Sequence, residues 1–152
     1  MISNRDRDGL PGVRDRDRSR FATLAFERDV AAPSSVLWQA WTAPVARAVW
    51  SAPTPAVTVE FLEADTRVGG REVSLCKVEG QPDIRCECGW LELQPDRRSV
   101  NYEVVSSGGV TRSAALVTAD VSGTDARSRL VVTVQLSSPA GDMEAGYREG
   151  FD

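Results

Sequence analysis

A chain of 152 residues, 41% of them hydrophobic, with a net charge of −4 and no histidine, has the length for one domain around a real core and is too short for two comfortable ones. The charge is split: residues 1–20 hold six Arg and four Asp, while residues 21–152 hold twelve basic against eighteen acidic residues, a net −6 that disfavours nucleic acid as a partner. No apolar run approaches the ~18 residues of a membrane span, and the charged N-terminus lacks a secretory pattern, so a cytoplasmic location is expected.

The first 20 residues, with RDRDG and RDRDRSR, form a mixed-charge, low-complexity stretch with almost nothing to bury, and are expected to be a disordered tail ahead of a single domain over 21–152. At Phe21 the pattern changes to FATLAFERDV, a first strand. Ala31–Trp50 is the one long helix-patterned segment. Pro33 suits a first helical turn, and Val36, Leu37, Ala40 and Trp41 share a face. Thr42-Ala43-Pro44 repeats the start signal, and Val45, Ala48 and Val49 form a second apolar stripe ending near Trp50, so two short helices are expected in succession.

After a proline-containing loop, six strands follow: VTVEFLEA, REVSLCKV, IRCECGWLEL, SVNYEVV with Val100, Tyr102 and Val104 on one face, VTRSAALVTAD and RLVVTVQL. The turns between them, among them Gly69-Gly70 and Ser106–Gly109, are short enough for an antiparallel meander, and a parallel sheet would need crossover helices that are missing. Past Pro139 the pattern becomes helical again, with Asp142 as a cap and Met143, Tyr147 and Phe151 at i, i+4, i+8.

Chemistry-bearing residues are few. The lack of histidine removes the commonest general base near neutral pH and the commonest zinc ligand. Cys86-Glu87-Cys88 sets two thiols on one strand face with Cys76 across the hairpin, but the spacing lacks the turn of a Cys-x-x-Cys site and buried, reduced, metal-free cysteines are expected. Glu60, Glu63 and Asp65 lie close in sequence, yet alternation places Glu60 on the solvent face; Glu103 and Arg112 are expected to pair across adjacent strands. No nucleophile elbow, phosphate loop, dinucleotide fingerprint or calcium loop occurs, so neither a catalytic constellation nor a cofactor is expected. The aromatics remain. Some of them are expected to line a cavity between a curved sheet and the last helix, with Trp50, Trp90, Tyr102, Met143, Gly146 and Tyr147 as its ligand-binding residues.

The order strand, two short helices, six antiparallel strands, C-terminal helix is similar to the helix-grip fold of the START-like, birch-pollen-allergen-like (SRPBCC) superfamily. Ala31-Ala32-Pro33 with Val36-Leu37-Trp38, Trp41-Thr42-Ala43-Pro44, Val68-Gly69-Gly70-Arg71, Gly89–Leu93 with Pro95, and Gly146–Phe151 resemble the branch homologous to the activator of the ninety-kilodalton heat-shock protein ATPase. Two departures from the branch are Val49-Trp50 in place of a frequent tandem tryptophan, and a last helix at least two turns shorter than usual.

The resemblance implies an α+β helix-grip fold, a seven-stranded antiparallel curved sheet with the last helix on its concave face. It also implies non-catalytic binding of a small hydrophobic molecule or lipid, by a monomer or homodimer. The alternatives are an interaction protein acting on a chaperone ATPase and an aromatic cyclase or hydrolase-type enzyme.

Overall fold

The computed structural model describes residues 18–52, 54–139 and 143–151. Within them the chain forms β1 (Arg20–Val30), α1 (Ser34–Thr42), α2 (Pro44–Trp50), β2 (Val57–Ala64), β3 (Arg71–Val78), β4 (Ile84–Gln94), β5 (Arg98–Ser107), β6 (Val110–Gly123), β7 (Ser128–Ser138) and α3 (Met143–Phe151). The seven strands form one sheet in the order β1-β7-β6-β5-β4-β3-β2. From β2 to β7 it is an antiparallel meander, and β1 closes on the far side of β7, Arg20 opposite Ser138 and Val30 opposite Ser128. Both sheet edges, β1 and β2, are thus consecutive in sequence, and α1 and α2 are the crossing between them. This is the expected α+β helix-grip arrangement. The expectations for residues 1–17, for Asp142 and for the Phe151 side chain lie outside the described residues.

Proline decides where the crossing breaks. Pro44 at the start of α2 loses no helical bond, but its ring disfavours helical backbone at the preceding residue, and Ala43 is extended at φ −72°, ψ 125°. Thr42 does not cap α2; its hydroxyl donates back to the Trp38 carbonyl at 2.8 Å. In α1 the buried face is Leu37, Trp38, Trp41 and Thr42, rotated by about one residue from the expected one, so that Val36 is exposed. The correction to α2 is larger: none of its residues is fully buried, and Val45 and Val49, read as an apolar stripe, face solvent.

Polar and aromatic contacts hold α2 instead. Arg47 forms an ion pair with Glu72 of β3, the two side chains being 14% and 1% exposed, and Thr66 donates to the other Glu72 carboxylate oxygen at 2.9 Å. Trp50 stacks on Trp41 with centroids 5.3 Å apart and donates its indole N–H to the Ala40 carbonyl at 2.8 Å. Trp41 in turn donates to Ser99 of β5 at 2.9 Å. Glu72, Trp41 and Trp50 thereby each have partners for their polar groups, which is the condition for tolerating such groups away from water.

Alternation along the strands assembles the core. Leu24, Ala115, Val117, Ala119, Val132, Val134 and Leu136 pack with Trp41, and Met143 and Tyr147 of α3 lie against them. A second cluster joins Leu37 and Trp38 to Val121. The loop before β3 is tied to β4 by Gly69 N–H to Trp90 carbonyl at 2.8 Å and Trp90 N–H to Gly70 carbonyl at 3.1 Å. That loop is closed so tightly that a Cβ on Gly70 would stand 2.0 Å from the Asp65 carbonyl oxygen. Glu60 is exposed and pairs with Lys77 at 2.6 Å, as its alternation implied.

In β5 the facing is opposite to that expected. Ser99 and Asn101, 0% and 3% exposed, point with Glu103 to the helices, whereas Tyr102 and Val104 lie on the outer face beside Phe21 and Leu116. The register sets Tyr102 opposite Gly89, and its ring covers the bare backbone there, within 2.2–2.5 Å of where a Gly89 Cβ would stand. Glu103 is opposite Ala115 and faces inward, so the expected pair with Arg112, an exposed residue, does not form.

Two stability outcomes follow. Arg47→Ala should cost about 3 kcal/mol in urea denaturation, since it strands a buried carboxylate, and the double variant Arg47→Met/Glu72→Met should lose less than either single change to alanine. Gly70→Ala, which meets rigid backbone, should cost about 1–3 kcal/mol, and Gly89→Ala less, because the ring it meets belongs to a half-exposed side chain that swings away.

Candidate functional site

Inward-facing side chains of β2 to β6 and residues of α1, α2 and α3 line a partly open cavity of about 330 Å³, within the range of small-molecule sites. The sheet supplies Val59, Phe61, Ser74, Cys76, Ile84, Cys86, Trp90, Asn101, Glu103, Val105 and Val117; the helices supply Trp41, Arg47, Trp50, Met143, Gly146, Tyr147 and Gly150. Five of the six residues named from the sequence, Trp50, Trp90, Met143, Gly146 and Tyr147, are therefore brought to one wall-lined space. Tyr102 is not among them. It is 43% exposed on the opposite face of the sheet, since strand alternation sends it away from its neighbours Asn101 and Glu103.

The walls are aromatic, with a few polar groups placed among them. The Arg47 guanidinium lies 5.2 Å from the Phe61 ring centroid and 5.3 Å from that of Trp90, a cation–π geometry that adds to its pairing with Glu72. Trp90 itself is 2% exposed, and among the described residues its indole N–H has no acceptor. From α3, the Tyr147 hydroxyl donates to Glu103 Oε2 at 3.0 Å. Burial foremost, and then the adjacent Glu103 carboxylate, holds the Tyr147 phenol far above its ordinary range, so it stays a hydrogen-bond donor.

The three cysteines are free thiols. Burial, with Glu103 nearby, pushes Cys86 well up and Cys88 up to about 12, Arg47 opposing in both cases; Cys76 is raised by burial and by Asp83. Thiols so shifted are protonated near neutral pH and are weak nucleophiles. Among the described residues no group of His, Cys, Asp and Glu has the arrangement of a metal site.

At Gly146 a Cβ would meet nothing within 4 Å, and the same holds at Gly150. These glycines leave the α3 side of the cavity bare. The sequence does not point to Arg47, Glu72 or Asn101 as site residues, and Glu103 enters it only as the expected partner of Arg112. The Arg47–Glu72 pair joins residues 25 apart and leaves no local signature, but Asn101 and Glu103 were accessible through the polar alternation of β5.

A family model described as Activator of Hsp90 ATPase homolog 1-like protein matches residues 31–152. Among solved structures the chain is similar to the Mll3558 protein from Rhizobium loti, at 27% identity over 88% of this chain and 91% of that one, with a TM-score of 0.76. A Rhizobium leguminosarum protein at 23% identity covers 88% and 91% of the two chains with a TM-score of 0.74. The CV1439 protein from Chromobacterium violaceum, also at 23%, covers 84% and 88% with a TM-score of 0.70. At those lower identities the likeness is one of fold. A comparison with curated proteins finds no match. No helix among the described residues is long and apolar enough to cross a membrane. With the matched model spanning most of the sequence and the same fold recurring in these structures, the chain belongs to the family of activator of Hsp90 ATPase homolog 1-like proteins.

Proposed function

We propose that this protein binds a small, largely apolar molecule in the cavity between its sheet and α3, without transforming it. The observation that carries the reading is the cavity itself, about 330 Å³ between Trp41, Trp50, Phe61, Trp90, Val105 and Tyr147, with glycines rather than bulky residues on its helical side. An apolar, preformed and aromatic-walled space with a small number of convergent polar groups is the usual form of such a site. In a fold maintained only by close packing, α3 would gain from larger residues at Gly146 and Gly150: glycine costs about 1 kcal/mol each in a helix relative to alanine. Trp50, Trp90, Met143, Gly146 and Tyr147 are the residues assigned to the ligand.

The family description supports a second reading, action on a chaperone ATPase, but no feature of the cavity favours it. The raised Cys86 and Cys88 thiols and the chain's lack of histidine weigh against a cyclase or hydrolase, since neither an activated nucleophile nor the usual general base is at hand. A non-catalytic binding protein fits these features.

Gly146→Leu is the test. The new side chain enters open space on the cavity wall and improves helix propensity by roughly 0.8 kcal/mol, so the melting temperature should hold or rise while enhancement of a fluorescent apolar probe is lost. Unchanged probe binding in a folded variant would refute the assignment of the cavity.

A further inference from the structure

The charges around the cavity are unequal. Among the described residues two charged ones line it, Arg47 and Glu103. Arg47 is already neutralised by its ion pair with Glu72, and its guanidinium faces the Phe61 and Trp90 rings. Glu103 receives one hydrogen bond from the neutral Tyr147 hydroxyl at Oε2, and among the described residues no Arg or Lys forms an ion pair with it. The remaining ionisable groups on that wall, Cys76 and Cys86, are held protonated by burial. Among the described residues the cavity therefore carries one uncompensated carboxylate, set among aromatic rings. An anion placed there would meet a like charge beside apolar walls. A protonated amine would gain a charge-assisted hydrogen bond to Glu103 and the faces of neighbouring rings.

Resting on the binding reading above, we propose that the cavity selects compact apolar amines, whose ammonium group docks on Glu103 while the apolar body fills the space between Trp50, Trp90 and Tyr147. Asn101, 3% exposed and adjacent on the same strand face, supplies an amide that can take a second polar atom of the ligand. The class discriminates sharply against the corresponding carboxylic acids and less against neutral alcohols.

The assignment is tested by calorimetric titration of the full chain with three probes of one shape: tryptamine, tryptophol and indole-3-propionic acid. Tryptamine should bind at least about tenfold tighter than tryptophol, the size of one charge-assisted hydrogen bond, and the acid should bind weakest. Glu103→Gln keeps an acceptor for the Tyr147 hydroxyl and removes the charge; it should bring the tryptamine-to-tryptophol affinity ratio down to about one. Tyr147→Phe, which frees the carboxylate oxygen, should preserve the preference. Equal or tighter binding of the acid, or an amine preference that survives Glu103→Gln, overturns the proposal. If none of the three binds while the fluorescent apolar probe still does, the amine assignment falls and the binding reading stands; if the probe also fails, both fall.

Discussion

The arrangement depends on the buried pair between Arg47 and Glu72. Helix α2 has no fully buried residue, so hydrophobic packing of its own does not hold it; a carboxylate 1% exposed on β3 does. Desolvating two charges is costly unless geometry and extra hydrogen bonds repay it, and here Thr66 completes the Glu72 carboxylate while two aromatic rings face the guanidinium. With α2 so anchored, Trp50 reaches Trp41 and stacks on it, and Trp41 reaches Ser99. One ion pair thus seats α2 beside an α1 that is held by its own buried face, and together the two helices set one side of the cavity.

A second constraint is the polar inner face of β5. Ser99, Asn101 and Glu103 take the positions that apolar side chains would ordinarily occupy over a core, and two of them are tied to opposite helical elements: Ser99 to Trp41 of α1 and Glu103 to Tyr147 of α3. These bonds are directional where dispersion contacts are not, so they set where the helices stand over the sheet. They also leave polar groups in an otherwise apolar space, the combination on which the proposed binding function rests.

The fold was legible because its signals are local. Alternation, the turn at Gly69-Gly70 and the Ala43-Pro44 break each act within a few residues, and the strand order of a meander needs nothing more. Which face of a strand turns inward is a different matter. In β5 the apolar set Val100, Tyr102 and Val104 suggested the core side, but Tyr102 is used outside to cover Gly89, and the inner positions are polar because long-range partners satisfy them. The same cause hid Arg47 and Glu72, whose meaning appears only when residues 25 apart are brought together. Trp50, Trp90, Met143, Gly146 and Tyr147 were legible as a group because large aromatics beside bare helical glycines imply a space between helix and sheet, and that space is present.

The central claim is that the space is a binding site, and the four tryptophans give it an internal control. Trp50 and Trp90 line the cavity, whereas Trp38 is packed in the separate cluster with Leu37 and Val121. In a nitrogen–proton correlation spectrum of the protein titrated with the fluorescent apolar probe, the indole resonances of Trp50 and Trp90 should shift in a saturable manner, Trp90 most because among the described residues its N–H has no acceptor, and that of Trp38 should stay in place. A titration in which the Trp90 resonance does not move, or in which all four shift together without saturating, would contradict the account.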